Sequence, residues 1–415
     1  SPDQITAFDI HPQFERSIKD LGVHFEEKDT LLSFEEEDKN RYDFVVANPP
    51  YLNKSSEYVK AHRKALRKLY GHVNSHETYA MFIVNSIWRL KDGGKLGFIT
   101  SDSFLTLKTH EKLRKYILNT CKIEELTLAP QNLFDDQEVS TSPAILILTK
   151  CPGDSHQKMR DNNTMRLLPR LETESEYQNP PRANSSLQKK YHFLPFHIFF
   201  TDIEEEILQF FEIAPKSEEF LKGYIGMHTH DNLKYIAAIE GTKLAEIFDR
   251  RNKKKSGGKK YRIISQQEFQ EGNWKPYLKR GGAAQYYRPI MEALDWQESS
   301  IPIYDIPKKV PFEEEGIVIS GVSSRLAARY MPKGCYWDSN KAIGFLIQDP
   351  SFSIEYILGL LNSSLYNYLA KGIINNTYSI QLTGIHALPM IKPEVSYKKQ
   401  VERDRKSTRL NSSHR

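Results

Sequence analysis

The first 150 residues alternate between short apolar runs and longer stretches in which apolar residues recur at helical spacing. The runs at 5–10, 44–47, 96–100 and 144–148 predict strands, because a continuous apolar run of this length is typical of a buried strand. Helices are predicted at 12–21, 76–90 and 105–119, with Gly93-Gly94 ending the second. The alternation predicts an open, largely parallel α/β sheet, in which ligands bind at the carboxyl ends of the strands.

The composition changes after this region. Residues 151–194 are crowded with polar residues and prolines, which predicts a linker or an irregular crossover. Residues 195–395 are rich in aromatic side chains and lack a clear alternation of strands and helices, apart from a strong helical pattern at 353–369. We therefore predict a partial Rossmann-like α/β sheet in residues 1–150, followed by a mixed α+β domain in residues 195–395.

The last residues form a polar string, DRKSTRLNSSH, from Asp404 to His414. It resembles the translation of a sequencing-library adapter, and we interpret residues 404–415 as an artefact of that origin; the alternative is a genuine polar tail. This segment carries three of the net +5 charges, which leaves about +2 for the rest of the chain. Bulk charge therefore says little about nucleic acid, and local clusters must carry that argument.

Three cysteines, Cys121, Cys151 and Cys335, lie far apart and show no metal-binding spacing. An odd, scattered set argues against a disulfide framework or a zinc site and suits the reducing cytoplasm. No apolar run has the roughly 18 residues of a membrane span, so we expect no membrane partner. His228 and His230, followed by Asp231, are interpreted as a His-rich turn, because no further ligand spacing supports zinc.

The motif that carries chemistry is Asn48-Pro49-Pro50-Tyr51, directly after the apolar run. An exocyclic amine of a nucleobase is a poor nucleophile, because its lone pair is delocalised into the ring. The Asn48 side-chain oxygen and the Pro49 carbonyl are two acceptors that can draw such an amine toward a tetrahedral state, and the prolines stiffen the loop that holds them. Tyr51 offers a flat face for an extruded base. No metal is required, and S-adenosylmethionine supplies the methyl group.

With this motif the chain resembles the gamma-type DNA adenine-N6 methyltransferases, which include many type IIG restriction–modification enzymes and phage-defence methyltransferases. The resemblance makes Asn48, Pro49, Pro50 and Tyr51 the catalytic loop. It further implies that Asp9 holds the cofactor ribose and that Asp29 lies near the cofactor adenine. Phe134 resembles the second aromatic residue, which packs on the flipped adenine opposite the tyrosine. No nuclease motif is visible, so DNA cleavage is not predicted.

The Gly-rich cofactor motif that this family carries before the first acid is absent from residues 1–8. We interpret residues 1–150 as a partial S-adenosylmethionine-dependent methyltransferase domain, truncated at its amino terminus. On this interpretation the chain by itself binds the cofactor poorly or not at all, and the predicted function belongs to the parent protein.

The second region resembles a target-recognition domain at 221–236, 274–287 and 356–369, so double-stranded DNA is the expected partner. Basic residues crowd around a Ser-Gly-Gly hinge, and two more precede Gly281-Gly282. Such clusters suit phosphate contacts, which give affinity without sequence choice; the alternative is a solvated basic loop. The candidate DNA-binding residues are Arg250, Arg251, Lys253, Lys254, Lys255, Lys259, Lys260, Lys279 and Arg280, with Arg262 beside the cluster.

Two alternatives stay open. A protein glutamine-N5 methyltransferase or an RNA guanine-N2 methyltransferase uses the same loop, but these resemble compact catalytic domains with small appendages. The second alternative is a DNA-specificity module whose catalytic half is inactive; the intact Asn48–Tyr51 loop and Asp9 argue against it.

Overall fold

A computed structural model describes residues 2–134, 142–279, 281–339, 341–374 and 379–392. The chain divides into two compact units, Ser1–Glu212 and Ile213–Arg415. The predicted artefact at 404–415 lies outside the described residues.

The first unit contains two sheets and short helices. Its strands are β1 (Thr6–Asp9), β2 (His24–Glu27), β3 (Tyr42–Ala47), β4 (Leu90–Ser101), β5 (Cys121–Leu128), β6 (Pro143–Lys150), β7 (Thr164–Leu168) and β8 (Asn184–Leu187). Its helices are α1 (Glu15–Lys19), α2 (Glu57–Ala61), α3 (Arg63–Tyr70), α4 (Thr78–Arg89), α5 (Ser103–Thr106), α6 (Glu111–Thr120) and α7 (Gln157–Asp161), and α8 (Glu205–Ile213) spans the boundary between the units. Strands β1 and β2 pair in parallel by themselves, and the other six form a sheet in the order β3-β4-β6-β5-β7-β8.

The α/β class is confirmed, but the larger sheet is mixed and not largely parallel. β3 pairs with β4 in parallel, and so does β5 with β7, whereas β6 is antiparallel to both β4 and β5. The reason is that β5 and the next strand along the chain, β6, lie side by side. The Ala129 N–H, just after β5, donates to the Pro143 carbonyl at the start of β6 at 3.1 Å, so the end of one strand lies beside the start of the other and the two run antiparallel.

β3, which ends at the candidate catalytic loop, is an edge strand. The apolar run predicts a buried strand, and this prediction is wrong for two of its side chains: Phe44 is 71% exposed and Val46 is 82% exposed. Both lie on one face of a strand that is hydrogen-bonded to β4 alone among the described strands. No element of the described residues covers that face, so both side chains stay in contact with solvent.

The predicted stop at Gly93-Gly94 is also corrected. Helix α4 ends at Arg89, and the glycines lie within β4. There the register against β3 shifts from Tyr42–Leu90 to Phe44–Lys95, so extra residues of β4 must bulge out. Gly93 adopts a φ of +83°, a conformation that glycine takes without strain, and this allows the bulge.

The predicted linker at 151–194 is wrong as well. β7 and β8 lie in this segment and extend the sheet, and α7 precedes them. Its polar composition does not indicate a strand, because apolar and polar residues alternate along β7. Met165 and Leu167 are buried, while Thr164 and Arg166 on the opposite face are exposed. The first unit therefore continues past residue 150 to Glu212.

The second unit is a mixed α+β fold, as the sequence predicts, and its described strands form two sheets. Its strands are β9 (Leu221–Ile225), β10 (Ile236–Ile239), β11 (Arg262–Ile264), β12 (Trp274–Leu278), β13 (Glu292–Asp295), β14 (Gly316–Ser320), β15 (Ala328–Met331), β16 (Tyr336–Trp337) and β17 (Ala342–Ile347). Its helices are α9 (Asn232–Tyr235), α10 (Lys243–Lys253), α11 (Gln266–Glu271), α12 (Ile354–Leu361), α13 (Ser364–Asn367) and α14 (Leu382–His386), with a π-helix at Tyr368–Ile374. The sheet orders are β11-β10-β13-β12-β16 and β15-β14-β17-β9.

The helical pattern at 353–369 forms two α-helices and the start of the π-helix, not one helix. Ser353 caps α12, and Ser363 caps α13 by accepting from the Tyr366 N–H. Between them, the Asn362 amide donates to the Ala328 carbonyl at 2.8 Å and accepts from the Ala328 N–H at 3.0 Å. These bonds from the Asn362 side chain to β15 end helix α12. The spacing of apolar residues alone does not predict this end of the helix.

Within the described ranges, no helix combines the length and the apolar composition that crossing a lipid bilayer requires.

Candidate active site

The Asn-Pro-Pro-Tyr loop begins directly after β3, so Asn48 stands at the carboxyl end of a sheet strand as the sequence predicts. Asn48 is exposed, Pro49 is buried and Tyr51 is half-buried. The Tyr51 hydroxyl donates to the Asn48 side-chain oxygen at 3.2 Å. Burial raises the pKa of Tyr51 to about 12, so the phenol keeps its proton at neutral pH and remains a donor. The carbonyl oxygen of Asn48 has a second lone pair for another donor.

Thr78, the first residue of α4, anchors this loop. Its hydroxyl donates to the Pro50 carbonyl and accepts from the Leu52 N–H at 3.0 Å, while its own N–H donates to the Leu52 carbonyl at 2.9 Å. Thr78 is 1% exposed, so these bonds are shielded from water. Sequence reasoning missed this residue, because nothing in its local pattern indicates that the hydroxyl meets the loop.

Tyr79 packs against Tyr51, and His110 is bonded to Tyr79, so both residues support the loop. The rings of Tyr51 and Tyr79 meet edge to face at 6.1 Å, and the Tyr79 hydroxyl lies 2.8 Å from Nε2 of His110. The Asn74 amide nitrogen lies 3.0 Å from Nδ1 of His110, and the Asn74 oxygen accepts from the His76 N–H at 2.7 Å. This amide orientation makes Nδ1 an acceptor, so His110 is neutral with its proton on Nε2.

Burial, together with the neighbouring positive charge of Arg114, lowers the pKa of His110 to about 3. Protonation of Nδ1 would place two donors against each other at Asn74. The support beneath Tyr51 is therefore a neutral hydrogen-bonded chain at physiological pH.

The two predicted cofactor acids stand at the carboxyl ends of β1 and β2. Asp9 is half-buried as the last residue of β1, and its Oδ1 accepts from the His11 N–H at 2.8 Å. Asp29 follows β2, and its carboxylate is more fully engaged. It accepts from the N–H groups of Leu31 and Leu32, each at 3.1 Å, and from the Tyr58 hydroxyl at 3.0 Å.

Tyr58 is a second residue that sequence reasoning missed. It lies on α2, just after the catalytic loop, and bonds Asp29 across 29 residues of sequence. Burial, with the nearby Asp29 charge, raises the pKa of Tyr58. The hydroxyl therefore donates to Asp29 and connects α2 to the second acid.

Phe134 is half-buried in the turn after β5. It borders residues 135–141, which lie outside the described residues, so its expected place against a base remains a prediction.

The predicted basic cluster occupies the end of α10 and the loop after it. Arg250, Arg251, Lys253, Lys254, Lys259 and Lys260 are exposed. Some of these charges have local partners: Lys253 pairs with Asp249 at 2.6 Å and Lys259 with Asp231 at 2.8 Å. Arg251 and Lys255 lie over the Tyr261 ring, at 5.7 and 4.9 Å from its centre, which orders the loop.

Lys279 is not part of this exposed cluster. Its ammonium group pairs with the buried Asp338 carboxylate and donates to the Asn232 side chain at 2.9 Å, and its side chain is only 12% exposed. This geometry favours a structural ion pair over a phosphate contact. Arg280 lies outside the described residues.

Two family models match the chain. Residues 5–134 match the Eco57I restriction-modification methylase, and residues 258–390 match the TaqI-like C-terminal specificity domain. The chain is therefore similar to a restriction-modification methylase over one segment and to a specificity domain over another, which agrees with the resemblance predicted from the Asn-Pro-Pro-Tyr motif.

Individual relatives agree with this class. The type II methyltransferase M.BstVI of Geobacillus stearothermophilus is 32% identical over 111 residues, covering 26% of this chain and 19% of the relative. The adenine-specific methyltransferase BrxX of Escherichia coli O9:H4 (strain HS) is 23% identical over 372 residues, covering 85% of this chain and 28% of the relative. The chain thus spans less than a third of either relative.

Among solved structures, the type IIL restriction-modification enzyme MmeI, determined in complex with DNA, superposes with a TM-score of 0.51 at 13% identity. The match covers 97% of this chain and 56% of MmeI. At this identity the likeness concerns the fold alone.

Proposed function

We propose that the protein transfers a methyl group from S-adenosylmethionine to N6 of an adenine flipped out of double-stranded DNA, as part of a restriction–modification or phage-defence system. The observation that carries the proposal is the Asn48–Tyr51 loop at the end of β3, in a chain that matches a methylase family and a specificity-domain family. Adenine is the proposed base because the relative that aligns with 85% of the chain is named adenine-specific.

The loop has the groups that an amine donor needs. The Asn48 side-chain oxygen and the Pro49 carbonyl accept hydrogen bonds from the two N–H groups of the amine. These bonds shift the lone pair of the amine nitrogen out of the ring and toward the methyl group. Thr78 fixes the backbone of this loop through Pro50 and Leu52, so the acceptors are held in place before the base arrives. After it has attacked, the amine gives up its extra proton to solvent, which reaches the exposed Asn48, because the product would otherwise be a cation.

The residues at the carboxyl ends of β1 and β2 fit the cofactor unequally. The half-buried Asp9 carboxylate suits the hydroxyl groups of a ribose, since charge-assisted hydrogen bonds of this kind are strong. Asp29 is already bonded to two backbone N–H groups and to Tyr58, so we assign it the role of shaping the adenine pocket. When bound, S-adenosylmethionine supplies an electrophilic methyl group on its sulfonium.

Base recognition is assigned to the aromatic residues. Tyr51 stacks on one face of the flipped adenine, held in orientation by its bond to Asn48 and by the edge of Tyr79. Phe134 is the proposed partner on the opposite face.

DNA affinity is assigned to the basic cluster of the second unit, which consists of the exposed Arg250, Arg251, Lys253, Lys254, Lys259 and Lys260 and the half-buried Lys255. Lys279 is left out because its charge is already neutralised by Asp338. A cytoplasmic location belongs to the same proposal, and it is supported by Cys121, Cys151 and Cys335, which are free thiols.

The test supplies the Gly-rich segment that residues 1–8 lack. The amino-terminal portion of a relative such as M.BstVI is fused before Ile5, and the fusion is given labelled S-adenosylmethionine and mixed-sequence duplex DNA. We expect label in N6-methyladenine. Label on a protein or RNA substrate, with none on DNA, would replace the DNA assignment by one of the alternatives that use the same loop.

Asn48→Ala is the decisive variant of this fusion. It removes one of the two acceptors, so methyl transfer should fall by at least about 100-fold, while DNA affinity is unchanged. Asn53→Ala, in the same exposed loop, is the matched control and should retain activity. Equal activity of the Asn48→Ala and parent fusions would exclude the proposed mechanism.

A further inference from the structure

Three potential metal ligands converge in the second unit at a place that the sequence does not reveal. One ligand atom from each of His228, His230 and Asp305 lies within 4.8 Å of the other two. Nε2 of His230 is 2.9 Å from Oδ2 of Asp305, and the two imidazole rings are 4.7 Å apart. All three side chains are exposed, so an ion reaches them from solvent.

The backbone holds the two segments together. His228 and Asp305 form an antiparallel bridge in which each N–H donates to the other's carbonyl, at 3.2 and 3.0 Å. His230 adopts a φ of +59°, a left-handed conformation that is uncommon for residues other than glycine. This turn directs its ring toward Asp305, and such strain often marks a functional position.

The third ligand is Asp305 and not the neighbouring Asp231. The Asp231 carboxylate caps α9 by accepting from the N–H groups of Leu233 and Lys234, and it also pairs with Lys259 at 2.8 Å. The sequence places Asp231 next to the histidines, which is why a search by spacing does not find this group.

The donor set selects the class of ion. Two imidazoles and one carboxylate suit Zn²⁺ and its first-row neighbours, whereas Mg²⁺ and Ca²⁺ prefer all-oxygen sites. Zinc bonds of about 2.1 Å place tetrahedral ligand atoms roughly 3.4 Å apart, so small rotations of exposed side chains complete the site. The bond from the His230 N–H to Nδ1 of His228 is long, at 3.2 Å, and is weak enough for a metal to replace.

We propose that His228, His230 and Asp305 bind a divalent first-row transition-metal ion such as Zn²⁺, with solvent filling the remaining coordination positions. The ion fastens the turn at 228–230 to the segment at Asp305. The next residue along the chain, Asp231, holds Lys259 of the basic cluster, so the metal steadies the backbone from which that contact is made. The site is separate from the methyl-transfer chemistry and does not depend on it.

The test uses the full chain after removal of metals with a chelator. Zn²⁺ is titrated by calorimetry, and Co²⁺ is added separately so that its visible absorption reports ligand type. We expect one Zn²⁺ per chain and a Co²⁺ spectrum of nitrogen and oxygen ligation. His230→Ala and the near-isosteric Asp305→Asn should each weaken Zn²⁺ binding at least about tenfold, because loss even of a residue that only supports a ligand costs about 10–100-fold in affinity.

The control is His24→Ala. His24 is an exposed histidine paired with Glu26 at 3.4 Å, so it resembles the His230–Asp305 pair, and its removal should leave Zn²⁺ binding unchanged. Cys121, Cys151 and Cys335 are buried, and blocking accessible thiols should likewise have no effect. Unchanged affinity in a folded His228→Ala/His230→Ala/Asp305→Asn variant, shown to be folded by circular dichroism, would overturn the proposal.

Discussion

Tyr51 takes part in two kinds of interaction, and each uses a different part of its side chain. Its hydroxyl holds the Asn48 oxygen, while its ring, supported by the edge of Tyr79, is the proposed platform for a base. These roles can be separated by substitution, because phenylalanine keeps the ring and loses only the hydroxyl.

Tyr51→Ala in the fusion should lower kcat/KM for methyl transfer roughly 5- to 150-fold, since stacking of a base on an aromatic ring contributes about 1–3 kcal/mol. Tyr51→Phe should lose much less, within about tenfold, because only one neutral hydrogen bond is removed. The measurement is initial-rate methyl transfer at varied DNA concentration. A Phe variant as impaired as the Ala variant would show that the hydroxyl, and not the ring, matters.

His110 makes stability depend on pH. Its folded-state pKa of about 3 lies below its ordinary value of 6.5, so the unfolded chain binds more protons between these limits. The stabilising contribution is fully present above pH 6.5 and is lost as the pH falls toward 3, by about 1.4 kcal/mol per pH unit. Urea unfolding at pH 7, 6 and 5 should therefore show a shallower pH dependence for His110→Gln than for the parent. Parallel curves would exclude this histidine as the cause.

At the scale of elements, the site depends on how α4 meets β3. The first turn of α4 supplies Thr78, and the end of β3 supplies the loop that Thr78 holds. The amino-terminal end of the helix thereby fixes the backbone on either side of Tyr51, at Pro50 and Leu52. Orientation of the acceptors therefore rests on Thr78, a residue outside the loop that carries them.

Thr78→Val keeps the shape of the side chain and removes the hydroxyl. The Leu52 N–H and the Pro50 carbonyl then lose a hydrogen-bond partner, which should lower the free energy of unfolding by about 1–3 kcal/mol. Methyl transfer by the fusion should fall by up to about 100-fold, since a displacement near 1 Å suffices for this. Thr78→Ser, which retains the hydroxyl, should restore most of the activity. Full activity in Thr78→Val would show that the prolines alone hold the loop.

At the scale of the whole molecule, the second unit carries the basic cluster to which we assign DNA affinity, although the chain as a whole is nearly neutral without its last residues. The cluster at the end of α10 is ordered by the Tyr261 ring and by Asp231, yet most of its ammonium and guanidinium groups are exposed. Exposed, preoriented cations are suited to displacing counterions from a phosphate backbone.

A triple substitution, Arg250→Gln, Lys254→Gln and Lys260→Gln, should weaken binding to DNA of any sequence. The slope of log K against log salt should fall by about 3, roughly one for each phosphate contact removed. Fluorescence anisotropy at several salt concentrations measures this. Gln at Lys308, Lys309 and Lys333, which are exposed in the same unit, makes the same change of charge and should leave the slope near that of the parent. Equal slopes in the two triple variants would place the DNA elsewhere.

The sequence by itself determined which residues form the loop, that the loop follows a strand, and the class of fold. Asn48-Pro49-Pro50-Tyr51 and the apolar run before it are contiguous, and local periodicity is enough to place a short motif at the end of a strand. The resemblance to methylases with a specificity domain, drawn from these residues, agrees with the two family models.

The tertiary structure alone decided the contacts between residues far apart in sequence. Thr78 reaches the loop across 28 residues, Tyr58 reaches Asp29, and Asp305 comes to His228 and His230. It also decided that β6 runs antiparallel and that the polar segment after residue 150 extends the sheet. The physical reason is that periodicity reports which face of an element is apolar, whereas pairing partners and side-chain meetings depend on packing between elements, which no local pattern encodes.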